Sequence, residues 1–152
     1  MKRNKIAIGC DHGGFLLKEN IVRFLRKSGW PVSDYGTYSE ESMDYPDTAA
    51  KVASAVSKGK VWRGILICKS GIGNSIVANK FKGVRAALCY NIKAARLSRK
   101  HNDANVLVIG SLFVSPERSK KIVDVWLKTI FEEGRHSRRI KKIERIENSC
   151  AR

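Results

Sequence analysis

A thiol, a hydroxyl and two glycines fall within one short stretch, Cys68-Lys69-Ser70-Gly71-Ile72-Gly73-Asn74-Ser75. It follows the apolar run Gly64-Ile65-Leu66-Ile67, which reads as a buried parallel strand. It precedes Ile76-Val77-Ala78-Asn79-Lys80, which reads as a helix. At such a junction the free backbone N–H groups and the positive end of the helix dipole converge, and glycine lets a ligand come close. The place suits an anion, and a thiol beside it can be tuned as a base or nucleophile. On its own this spacing is weak evidence, because a cysteine ending a buried strand is more often an inert, small apolar residue.

The elements that must position these groups alternate between strand and helix. Lys5–Cys10 is a short first strand, followed by a helix carrying Phe15, Leu16, Ile21, Val22, Phe24 and Leu25 and ended by Ser28-Gly29. Pro31–Tyr35 is a second strand and Tyr38–Pro46 a polar loop. Asp47–Lys58 is a helix with Ala49, Val52, Ala53 and Val56 on one face. Strand three is Gly64–Cys68, with a helix over Asn74–Phe81. Strand four is Val84–Cys89, with a helix ending near His101. Strand five is Asn105–Ile109, closed by Gly110. Ser115-Pro116 opens the next helix as cap and first residue. After Gly134 a basic amphipathic tail runs over 135–152, with Ile140, Ile143 and Ile146 three apart.

This pattern predicts a single α/β domain over residues 1–152. It is a three-layer Rossmann-like sandwich, with a five-stranded parallel sheet and a C-terminal helical tail. Ligands in such folds bind outside the carboxyl ends of the strands, where strand order switches. The candidates there are Cys10-Asp11-His12-Gly13-Gly14 after strand one and Cys68-Lys69-Ser70-Gly71 after strand three. His101-Asn102-Asp103, between strands four and five, joins them.

The 152 residues are 43% hydrophobic and 29% charged, enough for one real core. No apolar run reaches membrane-spanning length and no signal-peptide core follows Met1, so a soluble, cytoplasmic protein is expected. Cys10, Cys68, Cys89 and Cys150 form no Cys-x-x-Cys pair and no zinc spacing; they read as free thiols in a reducing compartment, with no metal expected. The net charge of +16 invites a nucleic-acid reading, but it is spread along the chain. A basic surface that attracts small anions explains it more simply. A nucleotide-binding module is disfavoured, because no Gly-x-Gly-x-x-Gly follows the first strand.

Taken together, Gly9-Cys10-Asp11-His12-Gly13-Gly14, Tyr45-Pro46, the Cys68–Ser75 loop with Ala78-Asn79-Lys80, His101-Asn102-Asp103 and Gly134-Arg135-His136-x-x-Arg139 resemble type B ribose-5-phosphate isomerases. These belong to a wider family that includes the galactose-6-phosphate and allose-6-phosphate enzymes. The resemblance covers nearly the whole chain. It implies interconversion of ribose 5-phosphate and ribulose 5-phosphate through an enediolate, with no cofactor or metal. The chemistry needs a ring-opening acid, a base for the proton on C2, oxyanion donors and a cationic phosphate grip.

By the same resemblance Cys68 is the base, and its loop is expected to favour the thiolate. Other branches carry a glutamate where this chain has Asn74. Ser70 is implied to handle protons at O1 and O2, and the backbone N–H groups of Gly71, Ile72, Gly73 and Asn74 to hold the enediolate. His101 is implied as the ring-opening acid, with Asn102 bonding the sugar and Asp11 placing a hydroxyl. Tyr45 is implied to pack on the sugar. Arg135, Arg139 and His12 are implied to hold the phosphate. A homodimer, or a dimer of dimers, with shared active sites follows. Two departures stand out: Lys69 replaces the usual glycine, and Leu112 stands where many members have an arginine. A six-carbon sugar phosphate is the alternative substrate, and a nucleic-acid-binding protein on the same fold the alternative function.

Overall fold

The computed structural model describes residues 4–150; residues 1–3 of the N-terminal stretch and 151–152 of the expected tail lie outside the described residues. The strands are β1 (Ile6–Cys10), β2 (Val32–Asp34), β3 (Arg63–Cys68), β4 (Ala86–Leu88) and β5 (Val106–Gly110). The helices are α1 (Phe15–Lys27), α2 (Tyr45–Ser57), α3 (Ile72–Ala78), α4 (Ile92–Asn102), α5 (Pro116–Lys128) and α6 (Arg135–Cys150), with a short 3-10 turn at His12–Gly14. All the strand pairs are parallel, in the order β2-β1-β3-β5-β4. The order reverses between β1 and β3, so the binding crevice of this sheet opens where Cys10 and Cys68 end their strands.

Period-two alternation sorts the central strands onto two cores. Ile6, Ile8, Cys10, Ile65, Ile67, Leu107 and Ile109 face α1 and α5, where Leu25, Ile122 and Trp126 complete the layer. Ala7, Leu66, Val106 and Val108 face α2 and α3. That second layer is built of small residues. A Cβ at Gly9 would stand 2.6 Å from Thr48 Cγ2, and one at Gly64 would stand 2.8 Å from Val52 Cγ1. Glycine in the strands and Ala49, Val52 and Ala53 on the helix let α2 lie close on the sheet, fixing where its N-terminus meets the crevice.

The structure moves several sequence boundaries. The helix expected to begin at Asp47 begins at Tyr45, so Tyr45-Pro46 is its first turn rather than loop; proline fits there because the first N–H groups of a helix have no intrahelical partner. The helix expected from Asn74 begins at Ile72, so Ile72, Gly73 and Asn74 are its first turn. The basic tail is one helix, α6, held by buried His136 and Ile140 at one end. Further along, the Glu147 carboxylate accepts the Gly83 N–H at 2.9 and 3.0 Å. A cavity of about 840 Å³ lies between α6 and the β4 edge, lined by Val84, Ala86, Ile143 and Ile146 among others. Among the described residues no helix is long and apolar enough to cross a membrane.

Candidate active site

Cys68 ends β3 and is buried. The Gly71 N–H donates to its Sγ at 3.1 Å, and the N–H groups of Asn74 and Ser70 also act on it. Gly71 adopts φ 82°, a left-handed conformation that a Cβ would strain, and the side chain of Leu88 fills the space a Cβ would need. The turn therefore aims its N–H groups at the sulfur. Burial nonetheless pushes the Cys68 thiol above its ordinary value, and the Asp11 carboxylate adds to the rise; the three N–H groups offset only part of it. The expected thiolate preference is thus corrected: desolvation outweighs the loop's dipoles in this chain.

Asp11 is almost buried after β1, and its Oδ1 accepts the Gly14 N–H at 3.1 Å. Next to it, His12 Nδ1 accepts the Met43 N–H at 3.2 Å. The neutral ring therefore carries its proton on Nε2 and presents it away from that bond. Ser70 Oγ accepts the Ile72 N–H at 3.2 Å, at the entry to α3, whose N-cap is Gly71. Asn74 is 1% exposed, and its side-chain oxygen has no hydrogen-bond partner. A buried acceptor left so is costly, and a hydroxyl donor would satisfy it. Tyr45 lies over this turn: a Cβ at Gly73 would meet its Cζ at 2.5 Å and its Oη at 2.9 Å. Asp11, His12, Tyr45, Cys68, Ser70 and the Gly71–Asn74 turn therefore converge at the carboxyl end of the sheet.

His101, Asn102, Arg135 and Arg139 do not join them. α4 starts at the carboxyl end of β4 and returns to the amino end of β5, so its last turn lies at the opposite edge. Its 11 residues span about 16 Å. The expectation that His101-Asn102 stands at the strand carboxyl ends of its own chain is corrected by this topology. The α5–α6 connection lies at the same amino edge, tied by Glu132 N–H to the Lys100 carbonyl at 3.0 Å. Asn102 and both arginines are exposed there. Asp103 serves the fold: it takes Arg99 at 2.7 Å and Arg85 at 3.0 Å.

One residue gains a part that sequence reasoning did not give it. His136 is buried and stacks on His101 with centroids 4.3 Å apart and planes 11° apart. Its signal was its place between two arginines of the tail motif. Possible ligand atoms of His101, Glu132 and His136 lie within 4.8 Å of one another. Lys100 stands 3.8 Å from Glu132, and Arg135 and Arg139 act on His136. The local charge therefore suits an anion better than a metal cation. The chain thus carries two groupings at opposite ends of the sheet's strands: a thiol faced by backbone N–H groups at one, and two stacked histidines with Arg135 and Arg139 near them at the other.

The sequence model of the family described as Ribose/Galactose Isomerase matches residues 6–143. The ribose-5-phosphate isomerase B of Escherichia coli (strain K12) is 53% identical over 143 residues, covering 94% of this chain and 96% of that one. A D-erythrulose-4-phosphate isomerase of Pectobacterium atrosepticum is 42% identical over 139 residues, covering 91% of each. The solved ribose-5-phosphate isomerase B of Clostridium thermocellum superposes with a TM-score of 0.95 at 52% identity, covering 97% of this chain and 99% of that one.

Proposed function

The chain belongs to the ribose/galactose isomerase family, and we propose that it interconverts D-ribose 5-phosphate and D-ribulose 5-phosphate through an enediolate. The observation that carries this reading is the buried Cys68 thiol facing the N–H groups of the α3 turn, in which the Asn74 side-chain oxygen is buried with no hydrogen-bond partner. A thiol base, N–H donors and an acceptor for a hydroxyl are what an aldose–ketose proton transfer requires.

In this reading His101 gives a proton to the ring oxygen as the C1–O bond of the ring breaks, the anomeric hydroxyl gives its proton to solvent, from which His101 recovers its own, and the furanose opens to the C1 aldehyde. The Cys68 thiolate removes the proton from C2. The C2–H electrons form the C1–C2 double bond, and the carbonyl electrons move onto O1. The N–H groups of Gly71, Ile72, Gly73 and Asn74 stabilise that charge, and Ser70 carries a proton from O2 to O1. The enediol electrons then take the proton from the Cys68 thiol at C1 as the C2 carbonyl forms. The base is regenerated, with no net loss or gain of atoms. Asp11, Asn102 and Tyr45 orient the sugar. His12, Arg135 and Arg139 hold the phosphate. No metal or cofactor takes part.

Since the two groupings, as half-sites, stand at opposite sheet edges of one chain, the working enzyme is a homodimer or a dimer of dimers. One copy supplies Cys68, and another supplies His101, Asn102, Arg135 and Arg139. The buried Cys10, Cys68 and Cys89 and the exposed Cys150 are all free, in keeping with a cytoplasmic protein. The four-carbon substrate in the name of the Pectobacterium relative favours one second reading, a sugar phosphate of another length. A six-carbon substrate belongs to the same question of pocket length.

The test is conversion of ribose 5-phosphate by wild type and Cys68→Ala in EDTA. Activity confined to wild type supports a thiol-based, metal-independent isomerase. Equal activity in both removes Cys68 as the base, and activity on four- or six-carbon sugar phosphates alone reassigns the substrate.

A further inference from the structure

Lys69 follows the thiol directly, and its stem is not free to wander. Its Cγ, Cδ and Cε lie over Gly13, in the space a side chain there would occupy; Cε would stand 3.2 Å from an added Cβ. The surrounding backbone is knitted across three loops. Leu112 N–H donates to the Lys69 carbonyl at 3.0 Å, Ser111 N–H to the Cys68 carbonyl at 2.8 Å, and Ser111 Oγ to the Gly13 carbonyl at 2.7 Å. Lys69 therefore reaches from the end of β3 across to Gly13, the residue that follows His12 in the loop after β1, and it is exposed.

In the described loops that follow β1, β3 and β5, namely 11–14, 69–71 and 111–115, Lys69 is the one lysine or arginine. We propose that Lys69 is a substrate-phosphate ligand, the fixed cation that the thiol-bearing chain itself brings to the phosphate beside His12. It rests on the sugar-phosphate reading above. An ammonium on a stem anchored over glycine supplies charge without a rigid fork, so it tolerates phosphates at slightly different distances from the thiol. Arg135 and Arg139 then act from the second copy, and the phosphate is clamped across the interface.

The experiment compares wild type, Lys69→Met and Lys69→Arg. Methionine keeps an apolar stem over Gly13 and removes the charge. The KM for ribose 5-phosphate and the inhibition constant of inorganic phosphate both rise about tenfold in Lys69→Met, the order of one charge-assisted contact. The loss falls on KM rather than kcat, and Lys69→Arg restores most of it. Calorimetric titration of inorganic phosphate into the same proteins needs no turnover. Should wild type fail to convert ribose 5-phosphate, the substrate reading fails, while weaker phosphate binding by Lys69→Met still upholds the ligand. Unchanged phosphate binding in Lys69→Met overturns the proposal, as does a loss confined to kcat.

Discussion

The His101 and His136 imidazoles stack 4.3 Å apart, joining the last turn of α4 to the first turn of α6. The stack places the proposed ring-opening acid against a buried neighbour. Burial first, then the charges of His101, Arg135 and Arg139, hold the His136 imidazole below its usual range, against the opposing pull of Glu132.

That depression has a sign. A histidine that binds its proton less readily when folded favours the folded state above its unfolded pKa, and the contribution is lost as pH falls below about 6.5. The melting temperature of wild type should therefore drop on acidification through that region, and His136→Gln should drop less. A variant with the same or a steeper slope would remove His136 from the acid response.

The raised Cys68 thiol predicts a second pH effect. At neutral pH the thiolate is a minor species, so kcat/KM should climb with pH into the alkaline range where the thiol ionises. The alkylation rate of Cys68 by iodoacetamide should climb in parallel. Cys68→Ser should lose about 10²–10⁴-fold in kcat, the usual worth of a positioned base. A flat profile from pH 7 to about pH 9 would mean that the thiol does not limit the reaction.

Gly71→Ala tests the turn that serves the sulfur. The substituted residue would hold φ 82° with a Cβ against Leu88. Strain of that kind costs about 1–3 kcal/mol, readable as a lower urea midpoint. Because the Gly71 N–H to Cys68 contact moves with it, kcat should fall as well. A variant as stable and active as wild type would show that the left-handed turn is dispensable.

Much of this was legible in the sequence, for physical reasons. Runs such as Gly64–Ile67 and Val106–Ile109 are apolar on both faces, which only a buried parallel strand explains, so strand number and the switch-point crevice followed. Tyr45 was misplaced because Pro46 looks like a loop residue, although proline also suits a first helical turn. The edge that His101 occupies depends on where α4 ends, and chain order alone does not say which elements share an edge. The rise in the Cys68 pKa comes from burial by the assembled core, which no local motif displays.

Lys18 shows another feature hidden from a one-dimensional reading. It lies on the buried face of α1 with no exposed surface, 2.7 Å from Asp34 Oδ2 and 3.1 Å from Glu19 Oε1. Asp34 in turn accepts the Gly36 N–H at 2.9 Å, so the pair anchors the start of the loop that leads toward Met43 and His12. Lys18→Met should cost about 3–5 kcal/mol, because it strands a carboxylate in a largely buried place. The double variant Lys18→Met/Asp34→Asn should recover part of that loss. Denaturant titration of all four proteins gives the coupling; a coupling near zero would mean that the two residues act independently.

The separation of the half-sites makes the most discriminating prediction. Cys68 ends β3 at one edge of the sheet, and His101 lies in the last turn of α4 at the other. If each working site takes Cys68 from one copy and His101 from another, Cys68→Ala and His101→Asn homodimers are both inactive for different reasons. Mixing them under conditions that exchange subunits forms hybrids. In a hybrid, one site pairs both altered residues and the other pairs both native ones. Random exchange of equal amounts makes about half the dimers hybrid, each with one native site of two, so activity should recover to about a quarter of wild type. The recovery should follow the exchange rate, measured by energy transfer between labelled subunits. Complete exchange with no recovered activity would sink the shared site and with it the role given to His101. Substantial activity in the His101→Asn homodimer alone would leave Cys68 as base and pass ring opening to another group or to the solvent.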